Sequence, residues 1–195
     1  MDTLRTNMKS TTFMQIAYLV SQESKCVSWK VGALIAKNGR IISTGYNGSP
    51  AGGINCCDHA KEQGWMKDAQ PVEYLGRSVN VFKQHLASEH REAHSEWSSK
   101  NEIHAELNAI LYAAKNGSSI DGATMYVTLS PCPDCAKAIA NSGIKQLVYS
   151  EAYDRNLPGW EKILKAAGVE VHQIPKANLN SVDWTQITNY GGEHV

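Results

Sequence analysis

The spacing of apolar residues predicts a helix and then a hairpin in the first quarter of the chain. A stripe at the helical period predicts a helix over residues 12–24. Its members are Phe13, Ile16, Ala17, Leu19 and Val20. Two strand-like runs, 31–36 and 40–46, flank a short loop that contains Gly39, and this arrangement is typical of an antiparallel hairpin.

From about residue 48 to residue 100 the periodic pattern is lost. The segment is rich in Gly, His, Ser and charged residues, and its short apolar stretch lies near 79–86. Long segments without secondary structure are uncommon inside a compact domain. We therefore interpret it as an irregular insertion that needs internal support to stay ordered.

Helix and strand patterns alternate after residue 100. Together with the hairpin, they predict an α/β fold with a five-stranded sheet whose second half is largely parallel. The predicted helices cover 104–116, 134–141 and 160–167, and the predicted strands cover 123–129, 145–150 and 169–174. The tail that follows is polar, with Trp184 as a candidate docking residue.

Composition and charge restrict the class of protein. The 195 residues, 42% of them hydrophobic, suit a single domain over 1–195 that carries the insertion at about 48–100. Nineteen basic and nineteen acidic residues give a net charge of zero, whereas binding of a nucleic-acid polymer favours a basic surface, so we expect a small substrate. Neither a secretion signal nor an apolar run of roughly 18 residues is evident, and we expect a soluble, cytoplasmic protein without a membrane partner.

Two short motifs carry the chemistry. The chain reads His-Ala-Glu at 104–106 and Pro-Cys-Pro-Asp-Cys at 131–135. One imidazole and two thiolates can hold zinc with its fourth position open, where the pKa of bound water falls from about 15.7 to about 7. A carboxylate outside the ligand set must then move the protons, and this pair of motifs is that of zinc-dependent deaminases. The assigned zinc ligands are His104, Cys132 and Cys135, and the acid-base group is Glu106.

The motifs fall at the starts of two predicted helices. Pro131 and Pro133 suit a turn into a helix, whose unpaired N–H groups and positive dipole end stabilise thiolates. Two helix N-termini are therefore expected to meet at one metal. A Cys-x-x-Cys pair alone is also compatible with a redox pair or with half of a structural zinc site.

Three segments resemble the deoxycytidylate (dCMP) deaminases. They read Gly-Tyr-Asn-Gly-Ser-Pro at 45–50, His-Ala-Glu-Leu-Asn-Ala-Ile at 104–110 and Thr-Leu-Ser-Pro-Cys-Pro-Asp-Cys at 128–135. The resemblance spans roughly residues 16–168. Within that family the chain is most similar to the enzymes of T-even-like phages, which share Ser-Gln-Glu-Ser-Lys-Cys at 21–26 and His-Ser-Glu-Trp at 94–97. For a phage-encoded enzyme the site of action is the host cytoplasm.

The resemblance implies a fold and a reaction. The fold is the cytidine-deaminase-like one, with three layers, α/β/α, around a five-stranded mixed sheet. The reaction is hydrolysis of dCMP to dUMP and ammonia, which supplies dUMP for thymidylate synthesis. Zinc-activated water attacks C4 of the pyrimidine, and Glu106 takes the water proton, protonates N3 and assists departure of the amino group.

The resemblance also implies contacts with the base. The backbone N–H of Ala105 faces the base carbonyl, the backbone carbonyl of Ser130 accepts from the exocyclic amine, and Tyr153 lines the base pocket. For Tyr153 the alternative is partial core packing with its hydroxyl at the surface.

The turn at the end of the second predicted strand offers further substrate contacts. The amide of Asn47 can reach a sugar hydroxyl, and the glycine-flanked backbone can approach a phosphate. Asn-Gly is equally an ordinary turn pair. Ser49 and Lys30 are candidate phosphate ligands, although a surface lysine is usually only solvated.

The insertion contains a second candidate metal site. The phage-type enzymes hold a structural zinc there, and the resemblance implies Cys26, Cys56, His94 and Glu102 as its ligands. A closed four-ligand site supplies folding free energy and would support a weakly apolar segment. Buried free cysteines with a solvated histidine and carboxylate are the alternative. Cys57 is interpreted as a spare thiol.

The resemblance implies a homo-oligomer, commonly a hexamer, activated by dCTP and inhibited by dTTP with Mg²⁺. A candidate effector region is the hairpin with the turn at 45–50, because a loop shared by a pocket and an interface can be biased by either ligand.

Three other functions stay open: deamination of tRNA adenosine or polynucleotide cytidine, deamination of free cytidine or a pterin-like precursor, and a zinc-stabilised binding module without catalysis.

Overall fold

The computed structural model describes residues 9–68, 72–74, 77–79, 84–153 and 158–179. Two short 3₁₀ turns, Ser88–His90 and Lys176–Asn178, accompany the helices and strands. In chain order the elements are α1 Ser10–Ser21, β1 Gly32–Lys37, β2 Arg40–Tyr46, α2 Cys56–Glu62, β3 Met66–Asp68, β4 Val72–Tyr74, β5 Arg77–Val79, β6 Gln84–Leu86, α3 Arg91–Asn101, α4 Ala105–Lys115, β7 Thr124–Leu129, α5 Pro133–Asn141, β8 Gln146–Glu151, α6 Trp160–Ala166 and β9 Glu170–Gln173.

A five-stranded mixed sheet forms the centre, in the order β2-β1-β7-β8-β9. The hairpin partners β1 and β2 are antiparallel, and β1 is also antiparallel to β7. The pairs β7–β8 and β8–β9 are parallel, as expected for strands connected through helices. The predicted α/β fold with a hairpin beside a parallel half is confirmed.

The two faces of the sheet bury different sets of residues, because side chains alternate along a strand. Ala33 and Ile35 of β1 point to one face and pack with α4, α5 and α6, whereas Leu34 and Ala36 point to the other face. On that second face Phe13, Met14 and Ala17 of α1 cover the sheet. The result is the three-layer α/β/α arrangement.

A glycine in β2 sets the distance between the sheet and α4. A Cβ atom at Gly45 would lie 2.4 Å from the Ala105 carbonyl oxygen and 2.4 Å from the Ala109 nitrogen. Both neighbours are backbone atoms of α4, which cannot turn aside as a side chain can. This close approach fixes the start of α4, where His104 and Glu106 lie.

The interpretation of residues 48–100 as irregular is wrong for the segments that form α2 and α3 and for those that form the short strands β3 to β6. The 11-residue helix α3 buries only His94, so it has no apolar stripe that periodicity could reveal. Polar contacts support it instead, including a 2.7 Å ion pair between Lys100 and Glu96 one turn apart. Short strands form two small antiparallel pairs nearby, β3–β6 and β4–β5.

Other boundaries shift by a few residues. The first helix begins at Ser10 and ends at Ser21 rather than covering 12–24. Beyond its end, the Ser24 hydroxyl donates to the Asn47 carbonyl at 2.8 Å, which ties this segment to the turn after β2. Trp184 lies outside the described residues, and within them no helix combines the length and the apolar character that crossing a membrane requires.

Gly45→Ala is expected to destabilise the fold by about 1–3 kcal/mol, because the added methyl group must push α4 away from β2. Urea unfolding measures the change. Gly48→Ala is the matched control, since a Cβ there meets no atom within 4 Å. Equal stability of the two variants would contradict this account of the packing between α4 and β2.

Candidate active site and second metal cluster

The predicted zinc ligands lie together. His104 Nδ1 is 3.4 Å from Cys132 Sγ and 3.4 Å from Cys135 Sγ, and the three ligand atoms lie within 4.8 Å of one another. Tetrahedral zinc with ordinary bond lengths would separate its nitrogen and sulfur ligands by about 3.6 Å. The donor set and its spacing therefore fit a zinc ion with a fourth position left for water.

Two helix N-termini supply this cluster, as the sequence predicted. His104 is the N-cap residue of α4, and Cys132 is the N-cap residue of α5. The backbone N–H of Cys135 points at Cys132 Sγ, at 3.4 Å. Both helices therefore direct their positive ends and unpaired N–H groups toward the thiolates.

The electrostatics of the cluster are those of a site that receives a cation. A hydrogen bond from the Cys135 thiol lowers the pKa of Cys132 to about 4, and the same bond raises the pKa of Cys135. The hydrogen bond to Cys132 raises the pKa of His104 to about 9. Hydrogen bonds thus link the imidazole and the two thiol groups, and a divalent metal ion would replace the protons of these bonds.

Glu106 lies beside the cluster without belonging to it. Its side chain is 4% exposed, and burial raises the pKa of its carboxyl group. A buried carboxyl group with a raised pKa holds a proton more strongly than an exposed one, so its carboxylate form is a better proton acceptor. Glu106 has the surroundings that an acid-base group requires.

One cavity of about 240 Å³ opens onto both metal-ligand clusters. Its lining includes His104, Glu106 and Cys132 at one side and Cys26, His94 and Glu102 at the other. Helix α3 contributes a wall that ends at the second cluster. A small substrate can therefore reach the first cluster from a pocket bounded by the insertion.

Three of the residues implied to contact the base line this cavity: Ala105, Ser130 and Tyr153. The Ser130 hydroxyl accepts a hydrogen bond from the Tyr153 backbone at 2.9 Å, so the two segments are joined. The ring of Tyr153 meets Trp29 edge to face, with centroids 6.1 Å apart. Trp29 is a lining residue that the sequence interpretation did not include.

Asn47 also lines the cavity, but its side chain supports the neighbouring backbone. Its Oδ1 accepts from the Val31 N–H at 2.8 Å, and its Nδ2 donates to the Trp29 carbonyl at 2.9 Å. Asn47 therefore stabilises the turn and also lines the cavity. A direct bond from Asn47 to substrate stays a prediction.

Lys30 and Ser49 are not among the described residues that line the cavity. The Lys30 ammonium donates to the Gln22 carbonyl at 3.3 Å, and the Ser49 hydroxyl donates to the Ile54 carbonyl at 2.6 Å. Their contact with phosphate stays a prediction.

The second predicted set of ligands also lies together. Sγ of Cys26 and Sγ of Cys56 are 3.6 Å and 3.2 Å from His94 Nε2, and a carboxylate oxygen of Glu102 completes a group within 4.8 Å. A hydrogen bond between the thiols lowers the pKa of Cys26 to about 4 and raises the pKa of Cys56. Two thiols, an imidazole and a carboxylate suit a closed zinc site. The Cys57 thiol contacts Asp58 at 3.5 Å instead.

Ser98 orients the carboxylate of this cluster. Its hydroxyl donates to Glu102 Oε2 at 2.5 Å, while Glu102 Oε1 is buried without a hydrogen-bond partner among the described residues. Burial, and then the Cys26 thiolate, raise the pKa of Glu102 to about 7. An unpaired buried oxygen beside two thiols and an imidazole fits an oxygen ligand of a metal ion. Ser98 is a further residue that the sequence interpretation missed, although its spacing of four residues from Glu102 is a usable signal.

The first cluster, open to a cavity beside a buried non-ligand carboxylate, has the arrangement of a zinc-dependent nucleobase deaminase. The chain belongs to the family described as the cytidine and deoxycytidylate deaminase zinc-binding region, which matches residues 8–151. The deoxycytidylate deaminase of Enterobacteria phage T4 is 67% identical to it, covering 95% of this chain and 100% of the phage protein. The T2 phage deoxycytidylate deaminase is 63% identical over the same shares.

A solved structure supports the same family. The dCMP deaminase of cyanophage S-TIM5, in complex with dCMP and dUMP, has a TM-score of 0.59 to this chain and 34% sequence identity. The match covers 86% of this chain and 99% of the cyanophage protein. The chain is therefore an enzyme of the deaminase family with the fold that the sequence predicted.

Proposed function

We propose that this protein hydrolyses dCMP to dUMP and ammonia and so supplies dUMP for thymidylate synthesis. The observation that carries the proposal is the buried Glu106 carboxyl group, which lines a cavity beside His104, Cys132 and Cys135. Phage relatives named deoxycytidylate deaminase, identical at 67% and 63% of positions, support dCMP as the substrate. Their origin also supports action in the cytoplasm of an infected host.

The roles of the residues follow from their positions. His104, Cys132 and Cys135 would hold zinc, which when bound makes water a strong nucleophile at neutral pH. Glu106 takes a proton from water and gives it to N3 of the pyrimidine, and it then assists the amino group in leaving as ammonia. The Ala105 N–H, in the first turn of α4, donates to the base carbonyl.

Ser130, Tyr153 and Asn47 complete the proposed substrate contacts. The carbonyl of Ser130 accepts from the exocyclic amine, and the ring of Tyr153 packs against the base. The amide of Asn47, in the turn after β2, contacts a sugar hydroxyl. All three line the cavity, which supports these roles.

The rival functions differ in substrate size. Deamination of tRNA or single-stranded DNA calls for a basic surface, and a net charge of zero favours a free nucleotide instead. A binding module without catalysis has no need of a buried carboxyl group outside the ligand set.

The loss of ultraviolet absorbance on deamination tests the proposal. We expect the purified protein to convert dCMP, and to leave a short single-stranded DNA unchanged. Cytidine, which lacks the phosphate and carries a 2′-hydroxyl, should react far more slowly than dCMP. Activity on the DNA alone would contradict the proposal and would indicate nucleic-acid editing.

Glu106→Ala is expected to lower kcat for dCMP by about 10²- to 10⁴-fold, because the proton shuttle is lost. Zinc content and the thermal unfolding midpoint should stay near those of the parent protein. Glu161→Ala, a replacement of an exposed glutamate on α6, is the control. Full activity in Glu106→Ala would refute the mechanism.

We further propose that Cys26, Cys56, His94 and Glu102 bind a structural zinc ion. The unpaired Glu102 oxygen supports this assignment, and so does the need of the insertion for internal support. Two zinc ions per chain are then expected in the folded, pure protein. A count near one would remove the second site.

Ser98→Ala is expected to weaken zinc binding at this second cluster by about 10- to 100-fold, because the ligand carboxylate loses its orienting hydrogen bond. Competition with a coloured chelator measures the affinity. Ser99→Ala is the control, since the Ser99 hydroxyl donates to the backbone carbonyl of Glu96 at 2.8 Å. Equal affinities in the two variants would contradict the role of Ser98.

We also propose a homo-hexamer that dCTP activates and dTTP inhibits, with Mg²⁺ accompanying the triphosphates. The resemblance to dCMP deaminases supports the regulation. Exposed apolar side chains on β2 and α4 support self-association; they are Ile41, Tyr46, Leu111 and Tyr112. The turn at 45–50 adjoins this surface and is the proposed route to the cavity. Sigmoidal dCMP kinetics that do not respond to dCTP would contradict the proposed regulation.

A further inference from the structure

One face of α3 lines the cavity along most of the length of the helix. Arg91, Ser95 and Ser99 are lining residues spaced four apart, so they lie on the same side of the helix. From Ser99 back to Arg91 the face extends about 12 Å, at 1.5 Å per residue. Glu102 directly follows α3, and Arg91 lies at the opposite end of the helix, one turn before His94.

The charges around the cavity are unequal. The lining contains the acidic residues Glu102 and Glu106 and the thiols of Cys26 and Cys132, and metal ions at the two clusters would offset the negative charge of their ionised forms. Arg91 is the one lysine or arginine among the described lining residues. A dianionic ligand in this cavity has Arg91 as its permanent cationic partner.

Arg91 is also available for a ligand. It is exposed, and within the described ranges it makes no recorded ion pair or hydrogen bond. The hydroxyls of Ser95 and of Ser28, which lines the same cavity, likewise have no recorded partner within those ranges. Neighbouring polar groups on this helix are engaged, by contrast, as in the ion pair of Glu96 with Lys100.

We propose that Arg91, assisted by the Ser95 and Ser28 hydroxyls, forms the subsite for the phosphate monoester of the substrate. This inference rests on the proposed function and assigns the phosphate to the α3 wall rather than to Lys30 or Ser49. A guanidinium can donate two parallel hydrogen bonds to phosphate oxygens, and hydroxyls satisfy the remaining acceptors. The base then lies at the Glu106 end of the cavity, and the subsite distinguishes a nucleotide from a nucleoside.

Calorimetric titration with dUMP and with deoxyuridine tests the subsite without requiring turnover. Arg91→Ala should weaken dUMP binding by about 10- to 100-fold, as expected for the loss of charge-assisted hydrogen bonds. Its affinity for deoxyuridine should equal that of the parent protein. Arg91→Lys keeps the charge without the planar fork and should recover part of the loss.

Lys100→Ala, which removes an exposed cation from the same helix, is the matched control, and it should bind dUMP as the parent protein does. The subsite is overturned if Arg91→Ala binds dUMP normally, or if it loses dUMP and deoxyuridine equally, since the second result indicates damage to the cavity. It is also overturned if Lys30→Ala alone loses affinity for dUMP. Failure of the proposed function gives a different result, because the parent protein would then fail to deaminate dCMP in the absorbance assay whatever the Arg91 variants bind.

Discussion

Two backbone hydrogen bonds between Gly48 and Ile103 hold the part of the molecule on which both clusters of candidate metal ligands depend. The Gly48 N–H donates to the Ile103 carbonyl at 3.1 Å, and the Ile103 N–H donates to the Gly48 carbonyl at 2.8 Å. Around Ile103 the backbone is extended, so its neighbours Glu102 and His104 point to the same side. Glu102 belongs to one cluster and His104 to the other, and both line the one cavity.

The same turn reaches the second cluster from its other end. The carbonyl of Asn47 accepts from the Ser24 hydroxyl, which in turn accepts from the Cys26 N–H at 3.2 Å. The side chain of Asn47 fixes the backbone of residues 29–31 beside the cavity. The turn after β2 therefore connects a ligand of the second cluster, the wall near Trp29 and the start of α4. This connection joins the second cluster, two of whose members lie in the insertion, to the cavity that the first cluster faces.

Different parts of the molecule were predictable from the sequence to different degrees. The sheet and the helices after residue 100 have apolar stripes, because each buries a face against the core, and their patterns predicted them closely. Helix α3 buries only His94 and is held by polar contacts, so periodicity could not detect it. The ligands of the first cluster lie in two compact motifs, whereas Cys26, Cys56, His94 and Glu102 are scattered and required a family resemblance.

The cavity wall was the least predictable feature. Lys30 is near the site in sequence, but its ammonium is directed to the Gln22 carbonyl, and no local pattern indicates that direction. Arg91 lies within the segment that the sequence pattern indicated to be irregular, so no helix face could be assigned to it. A long-range contact, the 3.6 Å approach of His94 Nε2 to Cys26 Sγ, places α3 beside the cavity, and no local propensity indicates it.

X-ray diffraction from crystals grown with dCMP and Glu106→Ala protein, collected on both sides of the zinc absorption edge, tests the central claim most directly. The account predicts two anomalous peaks, one among His104, Cys132 and Cys135 and one among Cys26, Cys56, His94 and Glu102, with the pyrimidine beside residue 106. A pyrimidine bound elsewhere, or no zinc at the first cluster, would contradict it.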